Sequence, residues 1–366
     1  MIGSTPILEV RNIQVERGGT TILNVPSLLI QEDEILSLIG PNGAGKTTFL
    51  QTLSYLWNPF QGEIFFKGKK VETNHSVLEY RRKLAMVFQE PLLFDTTVLN
   101  NVASGLKIRG MKRSEIRDRV MEQLDRFGIG HLSNRSAKTL SGGEAQRTSL
   151  ARAFALQPEI LLLDEPFTSL DSPTRESLIE DLEHILQQTR TTAIFATHDR
   201  LEALRLSDRM AVMNEGKILQ IGSPEEVMNH PVNEWVASFV GVETILNGKV
   251  IKRNGGTFLA SIEGREIEAV GDAHLGDAVV LCIRPENVTL STQSHMEATS
   301  ARNVFAGKIL KIAPLGPYQK VHLDCGFPLV AYVTRHSLEE LSLTEGKQVR
   351  ASFKATAVTV IRKVES

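Results

Sequence analysis

The stretch "EILSLIGPNGAGKTT", Glu34–Thr48, decides the architecture of this chain. Its first half is a short, nearly continuous apolar run, the pattern of a strand covered on both faces in a parallel sheet. Its second half fits G-x-x-x-x-G-K-[ST] and runs into a helical pattern. Strand, glycine loop and helix in that order make a phosphate-binding loop, in which glycine amides wrap the phosphates. The candidate residues are Gly40, Pro41, Asn42, Gly43, Ala44, Gly45, Lys46, Thr47 and Thr48. Lys46 is expected to reach the β and γ phosphates and the Thr47 hydroxyl to hold Mg²⁺.

Two further apolar runs end in polar residues. "EILLLDE", Glu159–Glu165, places two carboxylates at a strand tip, a costly arrangement unless they meet a cation or a hydrogen-bond network. Asp164 is expected to approach Mg²⁺ through water, and Glu165 to polarise an attacking water. Each could instead be a helix cap or a surface acid, and Pro166 suits a turn. "TTAIFATH" ends at His198, on a strand expected beside the one that ends at Glu165, so His198 could touch a γ phosphate. Gln89, in "AMVFQEP", carries no assignment on spacing alone.

The run "TLSGGEAQR", Thr139–Arg147, opens another helix. Ser141 can cap it and Glu144 complete a capping box, while the amides of Gly142 and Gly143 face out from the positive helix end. The chain thus has two phosphate-seeking helix starts about a hundred residues apart.

Taken together these residues resemble the ATP-binding subunits of ABC transporters. "LSGGEAQR" is similar to that family's signature motif, and the resemblance covers roughly residues 6–230. It implies ATP and Mg²⁺ as ligands and ATP hydrolysis coupled to transport, with Glu165 and His198 catalytic. It implies that Gln89 contacts Mg²⁺ on a coupling loop and that Asp171, in "SLD", belongs to the loop after the strand acids. It further implies a head-to-tail homodimer, in which Ser141, Gly142, Gly143, Glu144 and Gln146 of one chain close over ATP held by the partner's phosphate loop. The family stacks adenine on an aromatic residue before a glycine in the first hairpin. The matching position in "VERGGTT" is Arg17, whose guanidinium can stack on a base, with Val15 as the alternative.

Composition sets the frame. With 366 residues, two domains are expected. Strands and helices alternate up to about residue 240, with helices at Thr47–Leu56, Ser114–Phe127, Glu144–Leu156 and Pro173–Thr189 and an alternating antiparallel edge strand in "ILEVRNIQVE". That alternation makes the expected fold α/β, and the resemblance implies that residues 1–240 form a phosphate-loop ABC ATPase domain with a helical signature subdomain. An all-β domain follows over 241–366, rich in glycine and poor in helix, built as two small OB-like barrels at about 243–292 and 300–364. "LNGKVI" and "FAGKIL" open the two repeats, and "LGDAVVLCIRPENVTL" and "EGKQVRASFKATAVTV" close them. A net charge of −2 argues against a nucleic-acid partner. Two cysteines, Cys282 and Cys325, offer no disulfide framework. No apolar run approaches the roughly 18 residues that span a bilayer, so any membrane part is expected in another chain, and the resemblance implies that this one is peripheral on the cytoplasmic face of the membrane.

The second repeat, with "SARN", "VTRHSLEELSLTEG" and "FKATAV", resembles the oxyanion-binding barrel of molybdate-binding proteins and of molybdate and tungstate importer ATPases. Arg302, Ser337, Lys354 and Thr356 are the candidate oxyanion residues, provided the barrel brings their strands together. The first repeat resembles the barrel common to importers. It implies permease subunits and an external binding protein as partners, and leaves sulfate, ferric iron, polyamine or sugar as alternative cargoes. A soluble ABC ATPase would be expected to carry a coiled coil or a second cassette, and a GTPase an Asn-Lys-x-Asp motif; neither is present. "PLLF", Pro91–Phe94, suits a docking groove for a permease or a covered turn. If the signature closes across a dimer, Ser141→Arg or Gly143→Asp will leave nucleotide binding by the monomer intact while abolishing dimer closure and turnover, as read by sedimentation with ATP and by phosphate release.

Overall fold

The computed structural model describes residues 5–292 and 299–362; residues 363 and 364 of the second expected repeat lie outside them. The chain divides into two compact units, Met1–Pro224 and Glu225–Ser366. The division falls sixteen residues ahead of the expected position at 240, because the two short helices there group with the C-terminal unit.

The N-terminal unit opens with β1 (Leu8–Arg17), β2 (Thr20–Ile30), β3 (Ile35–Ile39) and α1 (Lys46–Leu53). β4 (Gln61–Phe66), β5 (Lys69–Lys70), α2 (Asn74–Lys83) and β6 (Leu84–Val87) follow. A helical segment of α3 (Val98–Ile108), α4 (Arg113–Arg126) and α5 (Gly142–Ala155) leads back to β7 (Ile160–Asp164). The unit ends with α6 (Ser172–Thr189), β8 (Thr192–Thr197), α7 (Arg200–Leu206), β9 (Arg209–Asn214) and β10 (Lys217–Gly222).

Six strands form one sheet in the order β10-β9-β3-β8-β7-β6, parallel except for the β9–β10 hairpin. Every residue of β7 and β8 is buried, as expected for the apolar runs at their centres, and the polar residues at their ends, Asp164, Thr192 and Thr197, are buried with them. β3, β6, β7 and β8 all run the same way. The phosphate loop, Gln89, Glu165 and His198 therefore emerge at one edge, the carboxyl end where α/β sheets bind ligands. A second, antiparallel sheet has the order β2-β1-β4-β5. β1 lies between β2 and β4 rather than at the edge expected for it. Its alternation correctly reported one buried face, but alternation carries no information about how many neighbours a strand has.

In the C-terminal unit α8 (Pro224–Asn229) and α9 (Glu234–Phe239) precede an all-β region. Its strands are β11 (Thr244–Asn254), β12 (Thr257–Ile262), β13 (Arg265–Val270), β14 (Ala278–Ile283) and β15 (Thr289–Ser291), then β16 (Asn303–Leu315), β17 (Tyr318–Asp324) and β18 (Pro328–Thr334). α10 (Arg335–Glu340), β19 (Gln348–Phe353) and β20 (Val358–Arg362) complete it. The two repeats are present, but they are not separable barrels. One sheet runs β13-β12-β11-β14-β20 and the other β15-β19-β16-β17-β18, so each repeat sends its last strand into the other's sheet. One apolar core, from Leu246 and Phe258 through Ile309 and Phe327 to Phe353 and Val358, serves both.

Asn303 ties the free edge of β13 to the second repeat. Its side chain is buried; Nδ2 donates to the Glu268 carbonyl and Oδ1 accepts the Glu268 amide, both at 2.8 Å. The amide thus stands in for a neighbouring strand. Asn303→Ala leaves both Glu268 backbone groups unpaired, a cost of about 1–3 kcal/mol. Calorimetry of the full chain should show the C-terminal transition lowered by roughly 2–12 °C.

Candidate nucleotide site

The phosphate loop is shaped by backbone that only glycine adopts freely. Gly45, at φ 98°, turns the chain into α1 with no side chain in the way. Lys46, in the first turn of α1, is only 4% exposed. Its Nζ donates to the Gly40 carbonyl at 2.9 Å and the Pro41 carbonyl at 3.1 Å, and lies 3.2 Å from Glu165 Oε1. The Thr47 hydroxyl donates to Asp164 Oδ1 at 2.9 Å.

Glu165 leaves β7 with φ 45°, a left-handed conformation that costs a residue with a β-carbon about 1–2 kcal/mol. Its amide donates to the Ala196 carbonyl of β8 at 3.0 Å, which fixes the turn. The side chain reaches Lys46 with one oxygen. The other accepts the Thr168 hydroxyl at 3.1 Å and meets His198 Nδ1 at 3.0 Å. Burial alone would raise the Glu165 carboxyl, but Lys46, His198 and Thr168 outweigh it and hold it below the usual carboxylate range. Asp164 moves the other way. Burial raises it, with the neighbouring Glu165 charge adding, against the Thr47 hydrogen bond and Lys46. Adjacent carboxyls are thus pushed apart, one kept ionised and one made easier to protonate.

Lys46, Thr47, Glu165 and His198 line a cleft of about 370 Å³ together with Asn42, Gly43, Ala44, Gly45, Thr48 and Gln89, while Asp164 reaches it through its hydrogen bond with Thr47 and is not itself a lining residue. Ile22 and Thr168 also line it. Neither was singled out from the sequence: Ile22 is one apolar residue in a β strand, and Thr168 differs in no visible way from other loop threonines. Arg17, at the β1–β2 turn, is exposed and not among the lining residues. Val15 is fully buried in the core and presents no face to a base, which removes it as a stacking partner.

The signature helix begins as its sequence requires. The Ser141 hydroxyl accepts the Glu144 amide at 3.3 Å, and Glu144 Oε2 accepts the Ser141 amide at 2.7 Å. That backbone hydrogen bond keeps the Glu144 carboxyl below its ordinary range. Gln146 does not join the exposed set. It is fully buried on the inner face of α5, and neither polar atom of its amide has a hydrogen-bond partner among the described residues. A β-carbon at Gly143 would lie 2.4 Å from Thr174 Cγ2, so Gly143→Asp also disturbs the first turn of α6, and Ser141→Arg is the cleaner variant. Asp171 caps α6, accepting the Thr174 amide at 3.1 Å and its hydroxyl at 2.9 Å. Leu92 and Phe94 are 59% and 57% exposed, which excludes the covered-turn reading of "PLLF".

In the C-terminal unit the four candidate oxyanion residues do not all meet. The β16–β19 ladder ends where Asn303 pairs with Phe353, so Arg302 and Lys354 each stand one residue beyond that last pair, with Thr356 two residues further on. Ser337 lies beyond them. It sits in the first turn of α10, after Thr334, which pairs with Tyr318 at the opposite end of β16, and its amide and hydroxyl are engaged by Thr334 in a helix cap.

A family model described as ABC transporter matches residues 23–168, and one described as TOBE domain matches residues 299–360. The chain is 38% identical over 339 residues to the molybdate/tungstate import ATP-binding protein WtpC of Pyrococcus abyssi, covering 90% of this chain and 93% of that protein. It is also 38% identical over 328 residues to the spermidine/putrescine import ATP-binding protein PotA of Legionella pneumophila, covering 88% and 89%. Among solved structures, cbiO1 of Clostridium perfringens, part of the ABC transporter complex cbiONQ, superposes with a TM-score of 0.57 at 31% identity, covering 61% of this chain and 90% of that one. A dimeric ATP-binding cassette, MJ0796 bound to ADP and Pi, gives 0.54 at 30% identity, covering 59% and 98%. Fold and cleft thus define a nucleotide-binding cassette, and the relatives narrow the class: the chain belongs to the ATP-binding subunits of ABC importers. It binds ATP and hydrolyses it to drive transport. No helix among the described residues is long and apolar enough to cross a membrane, and a subunit of this family works with membrane permease chains.

Two variants separate binding from chemistry at this cleft. Glu165→Gln is expected to bind ATP with near-normal affinity while hydrolysis falls by roughly 10²–10⁴-fold. Lys46→Ala is expected to weaken ATP binding by about 10- to 100-fold, the scale of a lost hydrogen bond to a charged group. Fluorescent-nucleotide titration and phosphate release check the pair.

Proposed function

We propose that this chain hydrolyses ATP in a head-to-tail homodimer and energises uptake of an oxyanion, molybdate or tungstate. The observation that carries the catalytic part is the convergence of Lys46, Glu165 and His198 at the ends of three parallel strands, with the Thr47–Asp164 pair beside them. Lys46 exchanges its carboxylate partner for the β and γ phosphates. Glu165, kept ionised, accepts a hydrogen bond from the attacking water and aims it at the terminal phosphorus. His198 holds the far oxygen of Glu165 and can turn its ring to the γ phosphate. The hydroxyl of Thr47, the carboxylate of Asp164 and the amide oxygen of Gln89 form a hard oxygen donor set suited to Mg²⁺. When bound with the nucleotide, that ion neutralises charge on the phosphate oxygens. Ser141, Gly142, Gly143 and Glu144 of the second chain cover the γ phosphate, and Asp171 lies in the loop between the two sites. Gln146, buried, takes no part. A peripheral position on the cytoplasmic face, with permease subunits against Leu92 and Phe94 and an external binding protein to deliver cargo, completes the proposal.

The oxyanion reading is supported by the similarity to the molybdate/tungstate protein and by the position of Arg302 and Lys354, each one residue beyond the last pair of the β16–β19 ladder. Two cations leaving neighbouring strand ends offer an anion the opposite charge it needs. Polyamine uptake is the second reading, since the polyamine relatives are equally similar; a cation is poorly served by that basic pair. Calorimetric titration of the full chain with molybdate, tungstate, sulfate and spermidine distinguishes them. Molybdate or tungstate is expected to bind, and Arg302→Ala/Lys354→Ala to abolish the heat. Binding of spermidine alone moves the cargo to polyamines, and binding of none returns the barrel to a structural role.

A further inference from the structure

His198 has no scaffold of its own, since it stands in the short loop between β8 and α7 with its ring half exposed. Both of its neighbours are anchored to one buried network. On the N-terminal side, the Thr197 hydroxyl donates to Glu202 Oε2 and accepts the Asp199 amide at 3.0 Å. On the C-terminal side, Asp199 Oδ1 caps α7 through the Leu201 amide at 2.8 Å and the Glu202 amide at 3.4 Å. Glu202 is only 5% exposed, and burial raises its carboxyl despite the Thr197 hydroxyl and a nearby guanidinium.

That guanidinium is Arg175, from the first turn of α6. Its Nε and Nη2 donate to Glu202 Oε1 at 2.9 and 2.6 Å, and Nη2 also pairs with Asp199. One planar fork therefore spans the two carboxylates that hold the residues on either side of His198, a geometry a lysine cannot reproduce. The turn of α6 that carries Arg175 is fixed from two other directions. Asp171 caps it, and Thr174 fills the space over Gly143 at the start of the signature helix. One turn further on, Arg147 of α5 reaches Ser177 at 3.0 Å and pairs with Asp181.

We propose that Arg175 is a positioning residue for ATP hydrolysis, setting His198 against Glu165 from the helix that the signature motif abuts. The inference rests on the role given to His198 above. Arg175 touches no residue of the phosphate loop, so its contribution is to turnover and not to nucleotide affinity.

The test uses the full-length chain. Arg175→Met is expected to bind ATP within about twofold of the parent, with KM unchanged, while kcat falls about 10- to 100-fold, the scale of a small misplacement of a reacting group. Arg175→Lys should recover part of that loss. Because Arg175 acts through His198, His198→Ala/Arg175→Met should be no slower than His198→Ala alone. Should the buried Glu202 prevent Arg175→Met from folding, Arg175→Met/Glu202→Gln removes the stranded charge with its partner and is expected to keep the same kcat defect. Parental turnover in a folded Arg175 variant overturns the proposal, as does a double variant in which the two losses multiply. If His198→Ala is inactive while Arg175→Met is active, this inference fails alone; if His198→Ala turns over normally, the role of His198 fails with it.

Discussion

The nucleotide-binding unit is organised around one buried cation. The Lys46 ammonium is taken out of water, and a charge so placed must be compensated by nearby dipoles and opposite charge. Two loop carbonyls supply the dipoles and Glu165 the charge. Each compensation dictates further structure. The carbonyls require the loop to curl back over the start of α1, which needs Gly45. The carboxylate must project from the tip of β7, separated from β3 by β8 in the parallel order β3-β8-β7, and it needs the left-handed turn at Glu165 to reach back to the loop. His198 and Thr168 then find their places on the other Glu165 oxygen. The cleft follows from satisfying one ammonium.

Much of this was legible in the sequence because the chemistry is local. The phosphate loop, the acids at the end of β7 and the Ser141–Glu144 box each occupy fewer than ten consecutive residues, and apart from the Thr47–Asp164 and Lys46–Glu165 contacts their interactions close within the motif or onto the neighbouring β8. The apolar runs of β3, β7 and β8 likewise declared a parallel sheet. What escaped notice depends on distant partners. Ile22 and Thr168 acquire a role only when the hairpin and the loop after β7 come to the phosphate loop. Gln146 reads as one more polar residue in a polar motif, and only the helical phase turns it inward.

The C-terminal unit shows the opposite balance. Composition and repeat were readable, and all-β structure followed from them. The pairing was not, because β14 binds β20 and β15 binds β19 across the repeat boundary, and nothing in either repeat alone says so. Ser337 illustrates the same limit. It looks like a hydroxyl in an anion-binding motif, yet Thr334 three residues before it makes it part of a helix start, at the far end of β16 from Arg302 and Lys354. Asn303 is the converse, a residue from the same motif whose amide is consumed in closing a sheet edge.

The exchange of closing strands has a consequence for biosynthesis. Ile283 ends β14 and its partner strand begins at Val358, 75 positions later. At about 5–20 residues per second, the ribosome needs roughly 4–15 s to supply that partner. Throughout this interval the first sheet carries an open, apolar edge of the kind that recruits stray strands. The nucleotide-binding unit precedes all of this in the chain and takes no strand from it, although inside that unit β3, which ends at Ile39, waits longer still for β8, which begins at Thr192. Maturation is therefore staggered: the cassette closes its sheet once β8 and β9 are made, and the C-terminal domain closes only with the last strand of the chain, so nascent copies pass through two successive intervals of exposed strand edge.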